Sequence, residues 1–455
     1  MSRTPVEDGR TVDVERLAEI SAHRLTGLEK SLPASARGQT VAGFLATRPR
    51  LSAFHTPLFT LDSDALEWNL TRMADWCAAR GVGLAPHGKT TMAPALWDRQ
   101  LRAGAWGITV ANVPQLRVAL RFGVPRIQLA NALVDPAAVA ELADALAADP
   151  GLTVHTWVDS TDTVAAMEAA VSSTTSPAVT SEPPVRPLTV LVELGAPGGR
   201  TGARGLEAAR AVAETVSASP HLLLGGVCGY EGALAHDRSP AALRTVRRYL
   251  RDIGELHREL RDAGRYDTAE AVVTAGGSSF FDEVTDVLAP LAGPGTLVLL
   301  RSGAYLIHDD GFYQGTSPFA PENAAASAGT DAGGPLRAAM HAWARVLSRP
   351  EPELALLDVG RRDVPFDEGL PLPRLAADNL GAPTRPLAGE VTAVNDQHAF
   401  LRLHPDTPLR VGQVVRLGLS HPCTAFDKWR WIPVLADAGD GSPDPLVVDL
   451  VHTFF

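Results

Sequence analysis

Lys89 is the residue whose surroundings in this sequence most favour covalent chemistry. Residues 83–91 read GLAPHGKTT, so Lys89 follows a short apolar stretch and is flanked by His87 and Gly88. A lysine that is partly desolvated at the end of a strand can have a lowered pKa and can form an imine with an aldehyde. The same string also suits a solvated loop lysine, and the local sequence leaves both interpretations open.

A second pattern lies near the C-terminus, where residues 420–429 read SHPCTAFDKW. On an extended segment His421 and Cys423 project to the same side, where they could share one metal ion. A thiolate combined with an imidazole favours Zn²⁺, and two protein ligands leave the metal open to a substrate. A buried cysteine beside a capping histidine is the structural alternative.

Residues 274–279 read TAGGSS and follow an apolar run at 271–273. Glycines allow backbone N–H groups to approach an anion, and neighbouring hydroxyls add donors. Thr274, Gly276, Gly277 and Ser278 are therefore candidates to bind a phosphate at the start of the following helix. An ordinary glycine turn after a strand would have the same sequence.

Two single side chains could serve the same site. Arg200 lies in a glycine-rich turn at 193–202, and its planar guanidinium suits an oxyanion such as a carboxylate. Tyr230 follows the apolar run 222–228 and could pack against a bound ring. A surface arginine and a core tyrosine are the alternatives.

A repeating pattern of short apolar strands and helical stretches must position these residues. Alternation of this kind predicts parallel strands with helical crossovers. The number of strands and their span match a closed (β/α)₈ barrel, in which the carboxyl ends of the strands carry the chemistry. An open doubly wound sheet is the alternative. The predicted strands are 58–61, 83–85, 107–110, 126–129, 152–158, 188–193, 222–228, 271–275 and 296–300.

After residue 337 the sequence changes to short β-like runs separated by Pro, Asp and Gly, which predicts an antiparallel β-domain. We therefore expect a helical N-terminal segment at residues 1–55 that packs on the β-domain, a barrel at 56–313 and a β-domain with the metal pair at 337–455. Residues 171–187 and 316–335 have the composition of flexible surface insertions or linkers.

Composition excludes several classes of protein. The net charge of −11 argues against a nucleic-acid partner and favours a small-molecule substrate. No stretch approaches the ~20 apolar residues that cross a bilayer. The first residues lack a secretory signal, and three cysteines are too few for a disulfide framework, so we expect a cytoplasmic protein.

Several strings together resemble one family of enzymes. Pro86-His87-x-Lys89-Thr90 resembles the cofactor-lysine motif of the D-threonine aldolase and D-serine dehydratase family, and residues 230–232, YEG, resemble another characteristic stretch. The resemblance spans roughly residues 56–435. It implies an alanine-racemase-type (β/α)₈ TIM barrel with a C-terminal antiparallel β-domain, and pyridoxal 5'-phosphate bound as a Schiff base on Lys89.

The resemblance also assigns roles to other residues. It implies that the cofactor phosphate binds at Gly276 and its neighbours, that Arg200 lies near the cofactor, and that Tyr305 in the string RSGAY contacts the phosphate. A turn between the domains would also explain Tyr305. The stretch around His421 and Cys423 is similar to the zinc-binding stretch of D-serine dehydratases, whereas D-threonine aldolases typically carry His-x-Asp and a harder ion such as Mn²⁺ or Mg²⁺.

The bacterial amino-acid deaminase branch of the family resembles this chain most closely, because Ala85 and Thr91 stand where aldolases commonly carry Arg and His. This implies a carbon–nitrogen lyase of the D-serine ammonia-lyase type that converts a β-hydroxy D-amino acid into a 2-oxo acid and ammonia, with Lys89 as the base. It also implies a homodimer. Retro-aldol cleavage to glycine and an aldehyde, and a non-catalytic cofactor-binding protein, are the alternatives; a racemase would need a second base, and none is evident.

Overall fold

A computed structural model describes residues 11–174, 186–324, 333–436, 438 and 442–455. The helices are α1 Val14–Ala22, α2 Val41–Ala46, α3 Ser63–Ala79, α4 Pro94–Arg102, α5 Val113–Arg121, α6 Pro136–Ala148, α7 Thr161–Thr174, α8 Leu206–Ala218, α9 Pro240–Asp262, α10 Phe281–Leu288, α11 Phe312–Thr316 and α12 Pro321–Ala324.

The strands are β1 Leu58–Asp62, β2 Gly83–Leu84, β3 Ile108–Val110, β4 Arg126–Ala132, β5 Thr153–Val158, β6 Leu188–Gly195, β7 Ala203–Arg204, β8 Leu222–Gly229, β9 Ala271–Ala275, β10 Thr296–Leu300, β11 Met340–Glu351, β12 Leu354–Leu357, β13 Leu372–Ala377, β14 Arg385–Pro386, β15 Glu390–Val394, β16 Ala399–Arg402, β17 Val414–Gly418, β18 Trp431–Leu435 and β19 Val447–His452.

The two segments predicted as insertions fall partly outside the described residues, which omit 175–185 and 325–332. Where those segments are described, they include regular structure. Residues 171–174 are the last turn of α7, and α12 lies within the second segment. Both segments are rich in small residues, so their composition did not predict these helical turns.

The described chain divides into two compact units. The barrel unit comprises the described parts of residues 11–13, 74–89 and 100–303, and the β unit comprises the described parts of residues 14–73, 90–99 and 304–455. The chain passes between the two units several times, and each unit is built from segments distant in sequence.

The barrel unit is a closed parallel sheet, as the alternating pattern predicted. Its strand order is β2-β10-β9-β8-β6-β5-β4-β3, with β7 added beside β6. A parallel bridge between His87 and Thr109 joins the first strand to the last, and Thr109 N donates to Pro86 O at 2.9 Å. This closure rules out the open doubly wound alternative.

Burial on both faces explains why the barrel strands are almost continuously apolar. All five residues of β9 are buried, as are Val154 to Val158 of β5. The crossover helices begin at defined caps: Ser239 Oγ accepts from Ala242 N before Pro240 at the start of α9, and Asn112 accepts from Gln115 N before α5. No helix in the described part of the chain is both long and apolar enough to cross a membrane.

The β unit contains a mixed sheet with the main strand order β14-β13-β17-β11-β1-β18-β19, while β12, β15 and β16 extend it from β11. Neighbouring strands are antiparallel except for β1 and β18, which run parallel with Leu61 beside Val434. The N-terminal residues Leu25, Phe44 and Phe54 belong to the same hydrophobic core as Trp343.

One strand lies in a different sheet from the one predicted. The run at 58–61 was expected to open the barrel, but β1 pairs antiparallel with β11, with Leu58 beside Trp343 and Leu61 beside Met340. An apolar strand carries no local signal of its partner, because pairing depends on contacts distant in sequence. The barrel closes without β1, through the two residues of β2 and the extended segment after them.

Candidate functional site

Lys89 lies at the carboxyl end of a barrel strand. It belongs to a short 3₁₀ turn, Gly88–Thr90, that follows β2. The preceding backbone is held in the barrel because Ala85 N donates to Leu300 O at 2.8 Å and His87 N donates to Arg301 O at 3.1 Å. Lys89 thus lies at the end of the barrel where the sequence predicted it, and its reactivity stays a prediction.

A cavity of about 210 Å³ opens beside Lys89 within the barrel unit. Six of the residues proposed from the sequence line it, together with other side chains from the ends of neighbouring strands. The proposed residues in the wall are His87, Lys89, Arg200, Tyr230, Gly276 and Gly277, and the others are Ala111, Ala130, Asn131, Trp157, Thr201 and Arg301.

The cavity wall carries positive charge. Lys89, Arg200 and Arg301 all contribute to it. The buried Arg301 guanidinium donates to Thr274 Oγ1 at 2.7 Å and to Gly229 O at 2.6 Å. Burial, followed by the charges of Lys89 and Arg301, holds the pKa of His87 well below its usual value, so His87 is neutral at physiological pH. A wall of this kind suits an anionic ligand.

Tyr230 and Arg200 form one side of the cavity. The Arg200 guanidinium lies 4.9 Å from the centre of the Tyr230 ring, within the range of a cation–π interaction. The backbone of Tyr230 is fixed because its N–H donates to Tyr249 Oη at 3.0 Å, and the Tyr249 hydroxyl donates to Leu194 O at 2.5 Å. Tyr249 thus connects the ends of β6 and β8.

The backbone N–H groups of Gly276 and Gly277 have a partner that the sequence did not predict. Gly276 N donates to Glu231 Oε2 at 3.0 Å, and Gly277 N donates to Glu231 Oε1 at 2.6 Å. Glu231 is fully buried. The two glycines therefore line the cavity, but their N–H groups are bound to a carboxylate of the protein.

The predicted metal pair lies in the β unit. His421 and Cys423 occupy a short 3₁₀ turn after β17, and His421 adopts a left-handed conformation with φ of 58°. The sequence predicted an extended segment here, and the turn is a correction: Pro422 opens the 3₁₀ turn Pro422–Thr424. The Sγ atom of Cys423 lies 3.3 Å from Thr90 Oγ1, and Thr90 is the next residue after Lys89 in the chain.

His421 is held by two aspartates. Its Nδ1 lies 2.6 Å from Asp367 Oδ2, its backbone N–H donates to Asp309 Oδ2 at 3.0 Å, and Thr424 Oγ1 donates to the other oxygen of Asp367 at 2.6 Å. Burial by itself would lower the pKa of His421, but hydrogen bonding and charge interactions with Cys423 and Asp367 raise it to about 9.

The chain is similar to several known proteins. The profile described as "Putative serine dehydratase domain" matches residues 339–435. D-threonine aldolase from Arthrobacter sp is 27% identical over 393 residues, which cover 85% of this chain and 90% of that protein. These matches support the D-serine dehydratase and D-threonine aldolase-like family.

Solved structures show the fold of this family. The D-threonine aldolase from Filomicrobium marinum superposes with a TM-score of 0.68 at 24% identity, over 90% of this chain and 97% of that one. D-threo-3-hydroxyaspartate dehydratase from Delftia sp. HT23 gives 0.66 at 21% identity, over 89% and 99%. Alanine racemase of Clostridium difficile 630 gives 0.55 at 13% identity, over 84% and 95%. The predicted alanine-racemase-type barrel with a β-domain is confirmed.

Pyridoxal phosphate, the cofactor of this fold type, can be tested against the donors in the cavity. Two buried polar atoms in its wall, His87 Nδ1 and Trp157 Nε1, have no hydrogen-bond partner among the described residues. Buried polar groups of this kind are normally satisfied. The Lys89 amine, two guanidinium groups and two unsatisfied nitrogens suit an aldehyde-bearing anionic cofactor, and the residues fit the group.

The metal site can be tested in the same way. A thiol and an imidazole are in contact, and a carboxylate binds the ring nitrogen Nδ1, which is the arrangement that orients metal-bound histidines. Among the residues that the structure describes, no group of three or more His, Cys, Asp or Glu side chains is placed to hold a metal ion. A thiolate and an imidazole are both ligands of Zn²⁺, so the donor types of the pair fit this ion.

Three residues proposed from the sequence do not line the cavity. Thr274 is buried behind Arg301 and accepts its hydrogen bond. Ser278 follows the two glycines but is not part of the wall. Tyr305 lies in a 3₁₀ turn, Ala304–Leu306, of the β unit and is buried. The cofactor-binding roles predicted for these residues stay predictions.

For several other residues of the site, the sequence analysis predicted no role. Asn131 and Trp157 lie near the ends of β4 and β5, and a search for polar or aromatic residues at the carboxyl ends of predicted strands would have found them. Arg301 belongs to the string RSGAY, in which a role was predicted only for Tyr305. Asp367 and Glu231 act through contacts with residues distant in sequence, and no local signal marks them.

Proposed function

We propose that this protein is a pyridoxal-phosphate-dependent lyase that dehydrates and deaminates a β-hydroxy D-amino acid, with D-serine as the first substrate to test. The observation that carries the proposal is the short turn that places the His421 ring against Asp367 and the Cys423 thiol 3.3 Å from Thr90 Oγ1. A thiol in place of a carboxylate favours zinc over manganese or magnesium. We also propose that the enzyme is a cytoplasmic homodimer, as the sequence predicted.

The barrel unit supplies the residues for proton transfer. Bound pyridoxal phosphate would be held through Lys89 and would supply an electron sink for the charge left at the substrate's α-carbon. Lys89 Nζ is the base that we propose for the α-proton, and no other amine lines the cavity among the described residues. Arg200 and Arg301 attract the anionic groups, and neutral His87 adds no further charge.

The β unit supplies the residues for the leaving group. A zinc ion held by His421 and Cys423 would provide Lewis-acid stabilisation for an oxygen that departs with its electron pair. Asp367 fixes the orientation of the His421 ring so that Nε2 is available as a ligand. Solved variants of D-threo-3-hydroxyaspartate dehydratase offer support: a histidine and a cysteine two positions apart have each been changed to alanine, and the cysteine variant is described in the metal-free form.

D-threonine distinguishes dehydration from cleavage. Dehydration releases ammonia and 2-oxobutanoate, whereas retro-aldol cleavage releases glycine and acetaldehyde. We expect the first pair of products from the purified protein supplied with pyridoxal phosphate and zinc, and neither pair from Lys89→Ala. Glycine as the main product would contradict dehydration and support the aldolase reaction.

The aldolase is the second candidate because the matched Arthrobacter protein bears that name and its match covers 85% of this chain. Cys423→Asp is the variant that separates the two reactions. It converts His-x-Cys into the His-x-Asp pattern, so we expect it to exchange zinc for manganese and to shift the products of D-threonine towards glycine. A non-catalytic cofactor-binding protein would yield neither set of products.

A further inference from the structure

Glu231 connects the ends of two neighbouring barrel strands. It follows β8 and opens a 3₁₀ turn, Glu231–Ala233, while the glycines that it binds follow β9. The β8 and β9 strands are paired in parallel, with Cys228 beside Thr274. Both carboxylate oxygens accept backbone N–H groups, at 3.0 Å from Gly276 and 2.6 Å from Gly277. The side chain crosses directly from one strand end to the next.

The two glycines are held on their carbonyl side as well. Gly276 O accepts from Arg301 N at 3.3 Å, and Gly277 O accepts from Ser302 Oγ at 2.9 Å. The amide and carbonyl groups of this short loop are thus bound from both sides, and no conformational freedom is left to the glycine pair.

The backbone conformation of Gly276 and the side chains around both positions explain why glycines stand here. Gly276 has a φ of +107°, a conformation that other residues rarely adopt. A Cβ on Gly277 would lie 3.2 Å from the Tyr230 ring and 3.4 Å from Glu231 Oε1. Side chains at either position would move the loop away from Glu231 and from the cavity wall.

We propose that Glu231 is a positioning residue for the cofactor site: its carboxylate binds the first two N–H groups of the glycine loop, so that the cofactor phosphate is received from Ser278 onward. The inference rests on the proposed function, because it names the phosphate subsite of that cofactor. It replaces the sequence-based expectation that the N–H groups of Gly276 and Gly277 bind the phosphate directly.

A buried carboxylate with two N–H donors is well satisfied, and moving it away would leave both the charge and the amides without partners. Glu231 is therefore a fixed part of the wall. In a competing role, Glu231 occupies the phosphate position and must leave before the cofactor binds. That role predicts that removal of the Glu231 carboxylate strengthens cofactor binding.

Glu231→Gln tests the proposal. Glutamine offers one acceptor oxygen and an NH₂ group that opposes the second N–H, so one hydrogen bond is lost and the other is no longer charge-assisted. Each such bond corresponds to roughly tenfold or more in an equilibrium constant, and we expect the affinity for pyridoxal phosphate, measured by absorbance titration of the cofactor-free protein, to fall by about that factor. Ser278→Ala should also weaken binding.

Glu283→Gln is the matched control. Glu283 is also a buried glutamate of the barrel unit, but it pairs with Arg247 on α9 rather than with the loop. We expect this variant to lose stability and to keep its cofactor affinity. Glu231→Gln with unchanged or tighter binding of pyridoxal phosphate, or of inorganic phosphate as a probe, would overturn the positioning role.

Hydrogen exchange separates this inference from the proposed function. In the cofactor-free protein the amides of Gly276 and Gly277 should be protected, and in Glu231→Gln they should exchange faster while the strand amides of β9 keep their rates. Equal exchange in both proteins would overturn the inference even if the enzyme binds its cofactor. A different outcome is that the variant loses amide protection but the protein binds no pyridoxal phosphate. That outcome would reject only the proposed function and the phosphate subsite that depends on it.

Discussion

Replacing Gly303 with alanine is expected to damage the cofactor site through the backbone alone. A Cβ on Gly303 would lie 2.5 Å from the carbonyl oxygen of His87, 2.9 Å from its Cβ and 3.0 Å from its N. Non-bonded heavy atoms settle at about 3.5–4.0 Å, so the segments carrying Gly303 and His87 must separate by roughly 1 Å.

The backbone segment before Lys89 cannot move freely. His87 N is bound to Arg301 O at 3.1 Å, and Pro86 O is bound to Thr109 N at 2.9 Å, so a shift strains the closure of the barrel. Overpacking of this kind costs about 1–3 kcal/mol. In domains of about 150–250 residues that corresponds to a fall in Tm of about 2–12 °C. A displacement of about 1 Å at Lys89 would lower turnover by about 100-fold.

Thermal unfolding and titration with pyridoxal phosphate measure the two effects. Gly293→Ala is the control, because no atom lies within 4 Å of a Cβ at that position in the same unit and its φ is not in the left-handed region. We expect Gly293→Ala to behave as wild type and Gly303→Ala to lose at least tenfold in cofactor affinity, roughly 1.4 kcal/mol. A Gly303→Ala protein with the Tm and cofactor affinity of wild type would refute the reasoning.

Three other perturbations have defined outcomes. Burial lowers the pKa of His155 to about 4, so the folded protein binds fewer protons than the unfolded chain between pH 6.5 and 4. Stability should fall as the pH drops through that window, by about 2 kcal/mol at pH 5, and urea unfolding of His155→Gln should lack this component. Arg238→Met leaves the buried Asp282 without its cation and should cost about 3–5 kcal/mol, with part recovered in Arg238→Met/Asp282→Asn; equal stability of single and double variants would contradict this. Asp367→Asn should weaken zinc binding by about 10–100-fold in competition with a chelator, and unchanged affinity would dismiss its orienting role.

Local sequence was sufficient where one short segment carries both the chemistry and its position. Lys89 follows a strand within a few residues, so its place at the carboxyl end of the barrel could be predicted from the string itself. His421 and Cys423 are neighbours in sequence, and their contact required only a compact turn. The closed barrel followed from the regular alternation of strands and helices.

The pairing of strands that are distant in the chain could not be predicted from the sequence. The strand β1 has the same apolar character as the barrel strands, yet it joins the sheet of β11 and β18. Its burial pattern would be satisfied in either sheet, because a strand covered on both faces reads as one continuous apolar run. The choice is made by contacts more than 270 residues away in the chain, such as that of Phe59 with Ala342.

The glycine loop shows how such a distant contact changes the chemistry assigned to a motif. A Gly-Gly-Ser-Ser string after a strand predicts free N–H groups, and that prediction holds only if no neighbouring carboxylate reaches them. In a parallel barrel the neighbours of a loop are the residues that follow the adjacent strands, and β8 ends beside β9. Glu231 stands at that position and is 45 residues from Gly276 in sequence. Under our proposal, an acidic residue two positions after the adjacent strand binds the first amides of the glycine loop, and anion binding depends on the residues that follow.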